Sequence, residues 1–250
     1  MFLWMAILLF ILGLIVGGFL NVFIYRVPRK ISLIRVSRCP RCDHTLRVRE
    51  IIPLLSYLIL RGKCRYCRKV ISLRYPLVET LTGLLFLALF SQFGMSFKTP
   101  VAFFFASVLL VAGAIDIQKK IIPNKVVLPG LAAGLSLLFL KIFFDTDFLP
   151  LAGVSSSPLA PLLGLLLGGG LIFIPNLINA DWMGGGDVKL SAFMGLFLGK
   201  EVLLALFFGS FIGGVTGITL KKFKKLAEKD TLPFGPFLAL GAFMALFLGP

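Results

Sequence analysis

Eight long runs of mostly apolar residues, joined by short polar stretches, constrain this chain more than any other feature. They lie near residues 2–25, 76–95, 100–117, 126–144, 158–180, 187–199, 201–220 and 233–249. About 20 apolar residues carry a helix across the hydrocarbon of a bilayer. Backbone in lipid has to satisfy its own hydrogen bonds, which a helix does within itself. The expected fold is therefore all-α: a polytopic integral membrane protein with about eight transmembrane helices. The run at 187–199 is short, reaching about 20 Å at ~1.5 Å per residue. With 58% hydrophobic residues and a mean hydropathy of +0.98, an ordinary soluble domain is excluded. The first run has no basic n-region and no small-residue cleavage site, so it reads as a retained span.

Charge gives the orientation. Fourteen Lys and Arg fall between Arg26 and Arg74, against Asp43 and Glu50. The same side receives Lys119, Lys120, Lys125, Lys189, Lys221, Lys222, Lys224, Lys225 and Lys229, leaving Lys98, Lys141 and Lys200 for the other. The positive-inside rule makes the basic side cytoplasmic and places both termini outside, with the cell inner membrane as the location. The formal net charge of +15 thus belongs to loops beside a lipid bilayer, and nucleic acid is not an expected partner. The chain divides into a first transmembrane helix (1–25), a cytoplasmic zinc-binding loop domain (26–75) and a membrane core (76–250).

Every cysteine lies in that loop, as Cys39-Pro-Arg-Cys42 and Cys64-Arg-Tyr-Cys67. Thiols on the cytosolic side stay reduced, and two C-x2-C pairs at this spacing supply four thiolates to a structural Zn²⁺. His44 reads as a bystander. A loop of this length has little core, so metal would supply much of its folding free energy. Between the pairs, Ile51–Leu58 is apolar enough to lie on the membrane surface or against the helices.

Carboxylates beside apolar runs are costly and rarely idle. Asp187 follows Gly184, Gly185 and Gly186, which remove side-chain bulk around it, and precedes Lys189. Asp116 closes the third run on the same side of the membrane. Two carboxylates brought together share a proton, which suits one to activate water and the other to act as acid. The chain has a single histidine and no HExxH pattern, so neither a Ser/His hydrolase nor a zincin fits. Alternatively these acids cap helices, since Asp187 stands where an N-cap would, or pair with Lys119 and Lys189. Glu79 either orients Arg74 or contacts substrate, and Asp181 can bond the glycine turn. A transporter using Glu79, Asp116 and Asp187 as a cation path, or a non-catalytic zinc-bearing scaffold, are readings of a different kind.

Several motifs then fall in one order. Gly17–Pro28 is followed by the two cysteine pairs flanking Ile52-Pro53-Leu54-Leu55-Ser56-Tyr57, and then by Arg74–Glu79. Next come Asp116 with Ile122-Pro123-Asn124, Gly184–Lys189, and Leu232–Pro236. Along nearly its whole length the chain resembles the type IV prepilin peptidases. The resemblance implies that Asp116 and Asp187 are the catalytic aspartates of a membrane endopeptidase that cleaves prepilin or pseudopilin leaders after a glycine at the cytoplasmic face. It implies, for the bifunctional members that carry the cysteine loop, N-methylation of the new terminus with S-adenosylmethionine. Gly184, Gly185, Gly186, Lys189 and Glu79 are expected to support the site or its substrate. Ile51 stands where such proteins commonly carry Asn.

Overall fold

A computed structural model describes residues 2–144, 148–152, 157, 159–178, 184–223 and 232–249. Asp145, Asp147, Asp181, Glu228 and Asp230 lie outside these. Among the described residues every regular element is a helix, with two isolated β-bridges in the cysteine loop. Eight helices coincide with the eight apolar runs: α1 (Phe2–Arg26), α3 (Arg74–Phe93), α4 (Lys98–Lys119), α5 (Asn124–Phe144), α6 (Ala160–Ile178), α7 (Gly185–Leu198), α8 (Val202–Lys222) and α9 (Gly235–Leu248). The short helix α2 (Leu55–Ile59) lies in the cysteine loop.

Among the described residues, five helical stretches are long and apolar enough to cross a membrane, one of them the Gly185–Lys222 run of α7 and α8. The helix expected to be short is short: α7 has 14 residues, as does α9, or about 21 Å at ~1.5 Å each. Large apolar side chains such as Trp4, Leu8, Phe207 and Phe211 face outward, as lipid-facing positions do. This is an integral membrane protein.

The chain forms two compact units, residues 1–94 and 95–250. In the first, α1 packs on α3. Gly13 and Gly17 make the contact possible: a Cβ on either would lie 2.6 Å from the Cα of Gly83 or Glu79. Helices in lipid gain nothing from leaving water, so close backbone approach through small residues drives their association.

The second unit repeats the device. Gly164 and Gly168 on α6 press their backbone against Ser191 and Gly195 on α7. Gly209 on α8 meets the carbonyl of Phe237, and Gly241 on α9 meets that of Ala205. The core between α4 and α7 is aromatic: Phe105 stacks on Phe193 and Phe197, with centroids 5.4 and 5.3 Å away. All three rings are fully buried. That cluster braces the helix that ends near Asp116 against the helix that begins near Asp187.

Candidate active site

Asp116 sits in the last turn of α4 and is 5% exposed. Its Oδ2 accepts the N–H of Gly235 at 2.8 Å. Gly235 is the first residue of α9, whose opening N–H groups have no partner within their own helix. The approach favours glycine, because a Cβ there would stand 3.0 Å from Oδ2 and 3.2 Å from Cβ of Asp116. Beyond α4, Lys120 takes a left-handed conformation (φ 52°) and donates its N–H to the Asp116 carbonyl at 2.8 Å. The chain thereby turns sharply into Ile122-Pro123-Asn124.

Asp187 lies in the first turn of α7. Its sequence position resembles an N-cap, but the cap is Gly184, with extended backbone (φ −67°, ψ 140°). Asp187 is the third helical residue, and its N–H donates to the Gly184 carbonyl at 2.9 Å. Its carboxylate lies beside the Gly184 backbone at the start of its own helix. The three glycines differ in what they do. A Cβ on Gly186 would lie 2.8 Å from Cβ of Ile122, and one on Gly184 would lie 3.3 Å from Oδ2 of Asp187, whereas Gly185 faces open space. Gly186 thus lets the loop after α4 lie directly on the start of α7.

Lys189 Nζ donates to Asn124 Oδ1 at 2.9 Å, tying the same two segments together. This lysine binds an amide, not an aspartate. Among the described residues neither Asp116 nor Asp187 forms an ion pair. The two carboxylates instead interact electrostatically with each other. Sequence reasoning assigned no role to Gly235 or Asn124, although both lie inside quoted motifs.

Glu79 belongs to the first unit. Its Oε2 accepts the Leu54 N–H at 2.7 Å, and Oε1 lies 3.5 Å from Asn21 Nδ2. Pro53 packs on Gly18. The apolar segment between the cysteine pairs therefore lies against the helices, one of the two placements its composition allows. The Arg74 guanidinium lies 4.8 Å above the Tyr75 ring.

The four cysteine sulfurs lie within 4.8 Å of one another. A tetrahedral Zn–S₄ site with ~2.3 Å bonds needs edges of about 3.8 Å, so the cluster fits a metal after a small contraction. The two halves are built alike. Cys39 N–H donates to the His44 carbonyl and Cys64 N–H to the Lys69 carbonyl, both at 2.9 Å. The residue after each second cysteine is left-handed, Asp43 at φ 54° and Arg68 at φ 53°. Backbone N–H groups of Cys67 and Tyr66 draw the Cys64 thiol down to about 7. The His44 ring centroid lies 3.5 Å from that of Tyr66, linking the halves.

Residues 11–93 match the family described as Bacterial Peptidase A24 N-terminal domain, and residues 103–218 match the Type IV leader peptidase family. A prepilin leader peptidase/N-methyltransferase of Bacillus subtilis is 36% identical over 250 residues, covering 98% of this chain and 95% of that one. One from Stutzerimonas stutzeri is 33% identical, covering 96% and 89%. One from Myxococcus xanthus is 41% identical over 220 residues, covering 86% of this chain but only 63% of that longer protein. No solved structure matches the chain.

Proposed function

This chain belongs to the type IV leader peptidase family, and from that premise we propose that it is a membrane aspartyl endopeptidase. It removes the leader from type IV prepilins or pseudopilins, after a glycine, and methylates the new N-terminal residue. The observation that carries this reading is that the Asp116 and Asp187 carboxylates lie near enough to repel each other electrostatically, with neither neutralised by an ion pair among the described residues.

Two carboxylates sharing one proton divide the work of amide hydrolysis. The ionised one takes a proton from water as the oxygen attacks the scissile carbonyl, and the protonated one supplies a proton to the tetrahedral intermediate and the departing amine. Gly235 holds Asp116 through its backbone N–H. The Lys189–Asn124 bond and the Gly186–Ile122 contact hold Asp187 in place. Gly184 and Gly185 leave room for the substrate strand. The basic loops put this chemistry at the cytoplasmic face of the inner membrane, with both termini outside. The core that carries both aspartates follows the loop domain, from residue 76 onward.

Zn²⁺ would be held by Cys39, Cys42, Cys64 and Cys67 as a structural ion that organises the loop. S-adenosylmethionine, when bound, would supply the methyl group. The test is incubation of the purified protein with a prepilin, with and without S-adenosylmethionine, read by mass spectrometry. The expected product is a chain cut after glycine and carrying one methyl group only when the donor is present. An uncut precursor overturns the proposal.

A further inference from the structure

The first unit contains a cavity of about 640 Å³ that amide hydrolysis does not use. Gly18 and Asn21 of α1 and Tyr75 and Glu79 of α3 line it, together with residues of the cysteine loop. Asn21 is 2% exposed and Glu79 8%. The Asn21 amide donates from Nδ2 to the Tyr75 carbonyl at 3.0 Å and toward Glu79 Oε1 at 3.5 Å. This leaves Asn21 Oδ1 buried with no partner. Glu79 forms no ion pair among the described residues.

A buried acceptor with nothing to accept from is destabilising, and a carboxylate without a cation beside it adds to the cost. Leu54, whose N–H holds the other oxygen of Glu79, has φ 58° and ψ −48°, a backbone conformation that L-residues avoid. Such strain gathers at ligand sites. The two acceptors together call for a donor cation.

The loop side of the lining is mixed: Asp43 and Glu50 and several apolar residues face the cavity alongside a larger number of cations. Arg35, Arg41 and Lys69 line the cavity and form no ion pair among the described residues. Acceptors on the helices and unpaired cations on the loop fit a zwitterion whose ammonium lies beside a carboxylate. The volume is that of an ordinary small-molecule site.

We propose that this cavity binds the amino-acid end of the methyl donor, with its α-ammonium on Asn21 Oδ1 and Glu79 and its carboxylate on the loop cations. The inference rests on the N-methylation reading given above. The new terminus of a processed substrate carries an amine but no adjacent carboxylate, and so would leave the loop cations unused.

The test is isothermal titration of the purified full chain, in detergent, with S-adenosylhomocysteine and with methylthioadenosine, which lacks the amino-acid end. The wild type should prefer S-adenosylhomocysteine by about tenfold or more, as expected for a charged hydrogen bond. Glu79→Gln and Asn21→Leu should each erase that preference. Glutamine can still accept the Leu54 N–H, so Glu79→Gln keeps the loop in place even where Asn21→Leu does not fold. Bound zinc and the thermal midpoint report on folding. A preference that survives Glu79→Gln in a folded protein overturns the site. So does a Phe-first peptide whose affinity falls in that variant while S-adenosylhomocysteine binding does not. A methylated product from a wild type that shows no preference removes only the site, whereas a cleaved but unmethylated product removes the methylation reading itself.

Discussion

The backbone N–H of Gly235 donates to the carboxylate of Asp116 at 2.8 Å, across 119 residues of sequence. An alanine at 235 would place a Cβ 3.0 Å from that oxygen and 3.3 Å from its carbon. The neighbour that has to give way is the proposed catalytic group itself. Gly235→Ala should lower the cleavage rate by about tenfold, with a stability loss of about 1–3 kcal/mol, the usual cost of overpacking. Steady-state cleavage of a prepilin peptide beside thermal unfolding in detergent gives both numbers. Full activity in the alanine variant would mean that this contact does not orient Asp116.

Asparagine in place of either aspartate keeps size and removes the ionisable group. Asp116→Asn and Asp187→Asn should each reduce cleavage by about a hundredfold to ten-thousandfold, the contribution of a general acid or base. The Asp116 variant keeps an oxygen for Gly235, so its melting temperature should stay near that of the wild type. Either variant cleaving at the wild-type rate would take its residue out of the mechanism.

The parts of this architecture that could be read from sequence are those in which a single residue type carries the cost. Asp116 and Asp187 stood out because a carboxylate beside hydrocarbon is expensive, and the helices because a long apolar run suffices to define one. The four cysteines announced themselves by spacing. The partner of Asp116 was hidden because a backbone N–H belongs to almost every residue, and only folding shows which one arrives. The same holds for Asn124, whose bond to Lys189 spans 65 residues. The Asp187 cap assignment slipped by three positions because Gly184, which has no side chain to offer, holds the capping position. The glycine spacings at 13 and 17, 164 and 168, and 209 and 213 were visible, but their partner helices were not.

The three glycines before Asp187 should separate by function. Alanine at 186 would meet Cβ of Ile122 at 2.8 Å and its carbonyl oxygen at 3.3 Å, so Gly186→Ala should cost about 1–3 kcal/mol. Alanine at 185 meets nothing within 4 Å and should change stability by no more than about 0.5 kcal/mol. Thermal unfolding of the two variants side by side decides this. Loss of cleavage in a fully stable Gly185→Ala protein would show that the bare backbone there serves the substrate rather than the fold. Equal destabilisation at both positions would contradict the contact with Ile122.

Removal of metal should unfold the cysteine loop and leave the membrane helices intact. Each half of the loop is held by a few backbone bonds around its cysteine pair and by the His44–Tyr66 contact. Its apolar residues Ile34, Val48, Leu58 and Val70 are exposed, so little core resists opening. Structural zinc contributes roughly 10–16 kcal/mol in small metal-dependent domains, more than such a loop can replace. The metal binds thiolates and must displace their protons: backbone N–H groups draw the Cys64 thiol down to about 7, while its thiol neighbours help push Cys42 up to about 11. Zinc affinity should therefore fall as pH drops, more steeply below about 7 where Cys64 also takes up its proton, and chelation should succeed at lower chelator concentration in the acid range. The expected result is rapid proteolysis between residues 30 and 73 after chelation, reversed by stoichiometric Zn²⁺, with helical circular dichroism nearly unchanged. Cys64→Ser should behave like the chelated protein without any chelator. A loop that stays resistant to protease once its metal has been stripped would show that the cysteine cluster is not what holds it together.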